Sequence, residues 1–262
     1  MPSTYQVSVE ELALALSIQG KPEAASGLLQ ATFGTLTPDD QRGRLLAAGA
    51  SLAARSLLAV QDTEKPTLDP GFGRLVAPLL APRFSIKYDK ATSATLDTVA
   101  CHFAREDGLV VEQTVRQGVV HTLTEIDAPT LIEHALRIFS IPAGAPTQAK
   151  RVRMPRAVFD DARSRAALQP TTAESLFHEA GLPAKAALEL VEDLANNKYQ
   201  GSVMRIDYDK EGQPVSDRGF LTLQSRRRAW ILAVSVKEDE ATISPYPATA
   251  ESFRREVEGL LR

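Results

Sequence analysis

At 262 residues, 44% apolar and 24% charged, the chain has the composition of a soluble globular protein built as one large domain or two small ones. Thirty basic residues against 33 acidic leave a net charge of −3, which excludes a global pull toward nucleic acid or anionic membrane. A single cysteine, Cys101, excludes an intramolecular disulfide and suits a reducing compartment, and no run approaches the ~18 apolar residues of a spanning helix, so a cytoplasmic protein with no membrane insertion is expected.

The stretch Met1 to Gly20 has no basic start and no long apolar core, and it carries Glu10 and Glu11, so it does not read as a signal peptide. Tyr5, Val7 and Val9 alternate as a short strand. Ser8 precedes a helix with Glu11 three residues on, a capping box, and Leu12, Leu16 and Ile18 inward. A short helix is expected around Ala24 to Leu29. Thr37-Pro38-Asp39-Asp40 supplies a hydroxyl cap, a proline at the first helical position and first-turn acids, which predicts a helix to about Ala59. Asp69-Pro70 opens another, with Phe72, Leu75, Val76 and Leu79 inward.

Next comes a stretch that occurs twice, from about Phe84 to Ile126 and from about Met204 to Tyr246. A constant shift of 120 gives six identities in the 39 positions from Ile86 to Thr124, where roughly two are expected from residue usage. Among them are Tyr88 with Tyr208, Asp89 with Asp209 and Lys90 with Lys210. Phe84, Ile86 and Tyr88 alternate, as do Met204, Ile206 and Tyr208. Each copy reads as three or four strands of period two followed by a helix, the first from Asp127 and the second from about Ala248 to Leu261. Ile141 to Lys150, with Pro142, Gly144 and Pro146, reads as a linker. Between the copies, Lys150 to Met154 reads as extended and Arg156 to Leu168 as a helix. Thr172 caps another helix, and Pro183 opens a third that stops at Asn196-Asn197.

Each half is therefore helices, an antiparallel meander and a helix: α+β order, a quasi-two-fold repeat of β-meanders with flanking helices. The expected division is an N-terminal half, 1–141, a linker, 142–150, and a C-terminal half, 151–262, packed as one unit.

No catalytic constellation stands out. His102, His121, His134 and His178 lack metal-ligand spacing, the adjacent acid pairs read as helix starts or solvated loops, and no phosphate-binding glycine loop or GxSxG elbow occurs. No enzyme, cofactor or metal is expected. Arg226-Arg227-Arg228 is the densest positive run, read as a basic hairpin tip or as a contact patch for an acidic partner. Residues 172–236 also allow a winged-helix reading, with Pro183 to Asn196 as recognition helix and hence a DNA-binding regulator as the alternative function. Its face carries Lys185, Glu189, Glu192 and Asp193, and three acids against one lysine repel phosphates, so nucleic acid is disfavoured. Trp230, in the apolar run Ala229 to Val236, reads as core.

The order of elements, the middle segment Val152-Arg153-Met154-Pro155 and the closing segment Ile243-Ser244-Pro245-Tyr246-Pro247-Ala248 before an amphipathic helix resemble the EspG family of ESX (type VII) secretion-associated chaperones. The resemblance covers nearly the whole chain. It implies an EspG-like fold with a central antiparallel sheet and helical bundles. It also implies a non-enzymatic, cytosolic chaperone that holds secreted helical PE–PPE-like partners by covering an apolar helical tip. The surface it implies is the loop near Lys90-Ala91-Thr92-Ser93-Ala94 with the helices of the second half, so Lys90, Thr92, Ser93, Arg226, Arg227 and Arg228 are the expected partner-binding residues. One departure stands in the sequence. Family members often carry Gly-Arg before the penultimate strand, where this chain has Ser225-Arg226-Arg227-Arg228.

Overall fold

The computed structural model describes residues 3–60, 65–91, 96–141, 151–237 and 240–262. The expected linker 142–150 lies outside them. In chain order the elements are β1 (Thr4–Ser8), α1 (Val9–Ile18), α2 (Pro22–Phe33), α3 (Pro38–Ala54), β2 (Leu58–Ala59), β3 (Thr67–Leu68) and α4 (Pro70–Leu80). The first meander follows, β4 (Phe84–Ala91), β5 (Leu96–Ala104), β6 (Val110–Arg116) and β7 (Val120–Ile126), closed by α5 (Ala128–Phe139). Then come β8 (Met154–Pro155), α6 (Arg156–Arg165), α7 (Pro170–Glu179) and α8 (Ala184–Ala195). The second meander is β9 (Tyr199–Tyr208), β10 (Pro214–Gln224), β11 (Ala229–Lys237) and β12 (Glu240–Pro247), closed by α9 (Ala250–Leu261). The expected α+β order with two meanders is what the chain adopts.

The chain forms two compact units. One holds residues 1–86, 100–131 and 206–216; the other holds 87–99, 132–205 and 217–262. In the first unit the strand order begins β1-β7-β6-β5-β4, with β1 paired antiparallel to β7 from Thr4↔Thr124 to Ser8↔Val120. Its core joins Leu12 and Leu16 of α1, Leu52 of α3, Phe72, Leu75 and Val76 of α4, and Val111 and Leu123 of the sheet. Local chemistry fixes these helices. Ser8 Oγ accepts from the Glu11 N–H at 3.1 Å while Glu11 Oε2 accepts from the Ser8 N–H at 2.8 Å, the capping box the spacing predicts. The same Glu11 carboxylate accepts from Ser51 Oγ at 2.7 Å and Arg55 Nη1 at 3.1 Å, which ties α1 to α3 and satisfies a charge only 5% exposed. Asp69 caps α4 through the Phe72 N–H at 2.9 Å.

In the second unit the strands run β9-β10-β11-β12-β8, and α6, α7 and α8 bury Phe159, Phe177, Leu190 and Leu194 with Leu223, Trp230 and Ile243. Phe139 of α5, Phe253 of α9, Tyr88 and Phe220 form a separate aromatic chain with ring centroids 5.4–6.4 Å apart. Thr249 and Ser252 form the capping box of α9.

Several boundaries differ from expectation. α2 runs from Pro22 to Phe33, twelve residues where a short helix around Ala24 to Leu29 is expected, because Pro22 opens it at the first helical position. α3 ends at Ala54, not Ala59: Ser56 takes φ +57°, and Leu58–Ala59 pair with Thr67–Leu68 in a two-residue ladder too short to have a sequence period. α6 stops at Arg165. α7 begins at Pro170, so Thr172 lies inside the helix and is not its cap.

The constant shift of 120 also fails at the turns. Cys101 pairs with Gln113 in the first meander, whereas Leu221 pairs with Leu232 and not with Ala233 in the second. The β10–β11 turn is one residue shorter. In β9 the fully buried residues are Val203 and Arg205, opposite in phase to the expected Met204, Ile206 and Tyr208, which are half-buried. The Arg205 guanidinium donates to the Leu260 carbonyl at the end of α9, so the charged residue on the inner face is satisfied by a helix C-terminus.

Candidate partner-binding grooves

Two neighbouring depressions in the second unit gather polar and apolar side chains in arrangements suited to a protein ligand. The first, about 250 Å³, is floored by Phe159, Leu194, Leu223, Leu232 and Ile243, with half-buried Leu221 and Val234 beside them. Its apolar floor follows from the inward rows of α6, α8 and the sheet, which meet over a short span and leave a gap between helix and strand. The rim is polar. Arg156 pairs with Asp160 at 3.3 Å, Arg163 Nη2 donates to Gln200 Oε1 at 3.1 Å, and Ser202 Oγ donates to Asp89 Oδ2 at 3.2 Å. Gly201 lies in its wall because nothing larger fits. A Cβ there would stand 2.4 Å from Phe139 Cε1 and 2.7 Å from the Asp89 carbonyl oxygen.

The second depression, about 760 Å³, is lined by Glu192, Asp193, Asn196, Asn197, Lys198 and the β10–β11 turn, Ser225 to Arg228. Ser225 Oγ accepts from the N–H groups of Arg227 and Arg228, each at 3.1 Å, and the Ser225 N–H donates to the Arg228 carbonyl at 2.9 Å. This serine closes the turn. It directs Arg228 onto α8, where the guanidinium meets Asp193 at 2.7 Å, Glu192 at 2.6 Å and Glu189 at 3.4 Å. Burial lowers the Arg228 pKa, but the hydrogen bonds to Asp193 and Glu192 outweigh it and hold the group above its ordinary value. Asp193 also accepts from Trp230 Nε1 at 2.8 Å. A carboxylate 2% exposed is thus satisfied by one guanidinium and one indole.

The sequence-expected residues separate accordingly. Arg226 and Arg227 are exposed at the turn, and Arg228 is held by three acids. Lys90 lies on β4, donates to the Ile138 carbonyl near the end of α5 at 3.0 Å, and sits 3.9 Å from the Tyr199 ring centroid. Burial first, and then the charge of Lys198, lower its pKa. Thr92 and Ser93 lie outside the described residues. Sequence reasoning missed Lys198 and Tyr199, which connect Lys90 to the arginine turn: Lys198 Nζ is 5.4 Å from the same Tyr199 ring and lines the basic depression. The double asparagine that ends α8 was their one signal. Asp193 is corrected from an exposed member of an acidic face to a buried anchor. That engagement also removes the winged-helix geometry, since Glu189 and Glu192 bind Arg228 and β9 to β12 form a four-stranded meander.

Elsewhere, His102 Nε2 and Glu112 Oε2 stand 2.9 Å apart across β5 and β6, both buried, and His121 Nδ1 bonds Gln113 Nε2 at 2.8 Å. Burial lowers the His121 pKa. Among the described residues no group of three or more His, Cys, Asp or Glu side chains is placed to hold a metal ion, and no helix is long and apolar enough to cross a membrane.

Comparison with known proteins matches the chain to a family model and to solved structures. The family model described as "Uncharacterised protein YfjC" matches residues 4–252. A solved structure, that of the Mycobacterium tuberculosis type VII secretion system chaperone EspG5 in complex with a PE25–PPE41 dimer, is similar to the chain at a TM-score of 0.67. The two are 13% identical, and the similarity covers 99% of this chain and 96% of that one. No curated protein matches the chain.

Proposed function

The chain belongs to the YfjC family, and from that premise and its EspG5-like fold we propose that it is a non-enzymatic, cytoplasmic binding protein that holds a helical, PE–PPE-like secreted partner. The observation that carries this reading is the apolar depression beside α6 and α8. It has an apolar floor of Phe159, Leu194, Leu223, Leu232 and Ile243 inside a ring of polar side chains, the anatomy of a protein-recognition site. At about 250 Å³ it is small for a substrate cleft but suits one or two apolar side chains at the tip of a helix. The fold supports the same reading, because the similar chaperone is itself bound to a PE25–PPE41 dimer.

Co-expression with a PE–PPE-like pair and gel filtration test it. The wild-type chain should co-elute with the pair. Leu221→Glu and Val234→Glu, both half-buried at the edge of the floor, should abolish co-elution while leaving the thermal transition close to that of the wild type. Co-elution that survives both changes, or a chain that always elutes alone, would refute it.

A further inference from the structure

We propose that the depression beneath the β10–β11 turn binds a short acidic peptide segment, through Lys198, Arg226 and Arg227. The proposal deepens the binding-protein reading and rests on it: the acidic segment is part of the held partner, adjacent to the apolar tip.

The argument starts from how the charges of this depression are already used. Four cations line it, Lys198, Arg226, Arg227 and Arg228. Glu192 and Asp193 line it too, but both are bound to Arg228, and so is Glu189. The three acids are thus turned toward Arg228, and with Lys198, Arg226 and Arg227 counted the four cations still outnumber the three acids. Lys198, Arg226 and Arg227 make no ion pair among the described residues and open onto solvent. Lys198 lies 5.4 Å from the Tyr199 ring centroid.

The asparagines repeat the pattern. Asn196 Nδ2 donates to the Glu192 carbonyl at 2.9 Å and Asn197 Nδ2 to the Leu194 carbonyl at 3.0 Å, so each amide commits one of its N–H groups to ending α8. The strongest groups left for a ligand are the three cations. Ser225 holds the turn in place before anything binds, so two arginines are presented on a rigid hairpin tip, which lowers the ordering cost of association.

Size and surroundings choose among anions. About 760 Å³ is the scale of a cleft for a few residues. A duplex backbone would have to continue past Glu189 and Glu192 on α8, where phosphates meet carboxylates, and the whole chain carries −3. A short run of Glu or Asp side chains can engage Arg226, Arg227 and Lys198 on the turn side of the depression and leave Glu192 and Asp193 with Arg228.

Titration calorimetry of the full chain with an eight-residue glutamate peptide, inorganic phosphate and a 12-base-pair duplex, at low and moderate salt, tests the assignment. The peptide should bind the wild type with an affinity that falls as salt rises. The double change Arg226→Glu and Arg227→Glu should weaken it roughly tenfold or more, and Lys198→Glu should weaken it further, in line with a few exposed ion pairs. The emission of Trp230, which depends on the Asp193 bond and hence on an intact turn, should not change in these variants.

Three results would overturn the proposal: no heat with the peptide, equal peptide binding by the charge-reversed variants, or tighter binding of the duplex or of phosphate than of the peptide. Failure of the helical-partner reading is distinguishable. It would appear as lost co-elution with peptide binding intact, whereas failure of the present proposal leaves co-elution intact and peptide binding absent.

Discussion

The turn between β5 and β6 and the turn between β10 and β11 occupy the same place in the two meanders and are built differently. The first spans Glu106-Asp107-Gly108. Gly108 adopts φ +83°, the Arg105 N–H donates to the Leu109 carbonyl at 2.9 Å, and Asp107 accepts from the Leu109 N–H at 3.2 Å. This is a three-residue hairpin loop that uses glycine for its left-handed position. The second has two central residues, Arg226 and Arg227, neither with positive φ, and relies on the Ser225 hydroxyl. One residue fewer changes which side chains face each other across the hairpin, and it swings Arg228 onto α8. A repeat can thus keep its strands and alter its use at a turn. The first tip does no more than reverse the chain, while the second anchors itself and displays two cations.

The largest expected effect concerns the strand behind the second turn. Gly219 stands, at the shift of 120, where the first copy has Val99. A Cβ there would lie 2.1 Å from the Val203 carbonyl oxygen and 2.6 Å from Met204 Sδ, so the backbone of β9 must move. Gly219→Ala should lower stability by about 3 kcal/mol in chemical denaturation. An effect under ~1 kcal/mol would mean that β9 and β10 have slack the first meander lacks. Next, Arg228→Ala removes one of the two groups on buried Asp193 and should cost about 2 kcal/mol, short of a fully buried pair because Arg228 is 28% exposed. Changing Arg226→Ala should cost little. If the two substitutions cost the same, the distinction between anchor and displayed cation falls.

Ser225→Ala removes the two hydroxyl bonds that brace the glycine-free turn and should cost about 1 kcal/mol, more than Asp107→Ala, which removes a single such bond at the first turn. The smallest effect belongs to the first unit. His121 is 4% exposed and burial lowers its pKa below the ordinary 6.5. The unfolded chain therefore takes up the proton at a higher pH than the folded one. The contribution is present above about pH 6.5 and is lost as pH falls through that value toward the folded pKa. Denaturation midpoints should decline over that window, and His121→Gln should flatten the decline. An unchanged slope would assign the acid sensitivity elsewhere.

The elements that could be read in the sequence are those whose signals are local. Ser8 with Glu11, Thr37-Pro38 and Asp69-Pro70 each place a cap chemistry within four residues, and all three caps form. The meanders were visible because alternation needs only neighbours in the chain. What escaped depends on partners far away in sequence. Asp193 has the same local context as Glu189 and Glu192, and only Arg228 and Trp230, more than thirty residues on, make it a buried anchor. Lys198 and Tyr199 sit at the start of a strand with no pattern of their own. The apolar depression combines residues from α6, α8 and five strands, a combination no window of sequence contains. The arginine run was visible as charge, but which arginine is anchored and which are displayed is set by the length of the turn.

The outer strand of the second meander, β12, is covered by β8 for only two residues, Thr242↔Pro155 and Ile243↔Met154, before the chain bends into α6. Proline stands at 155, 245 and 247 along this margin, and each lacks the amide hydrogen that an added strand would need. Along this margin an added strand would find its donors missing at three positions, which blunts the edge as a template for pairing.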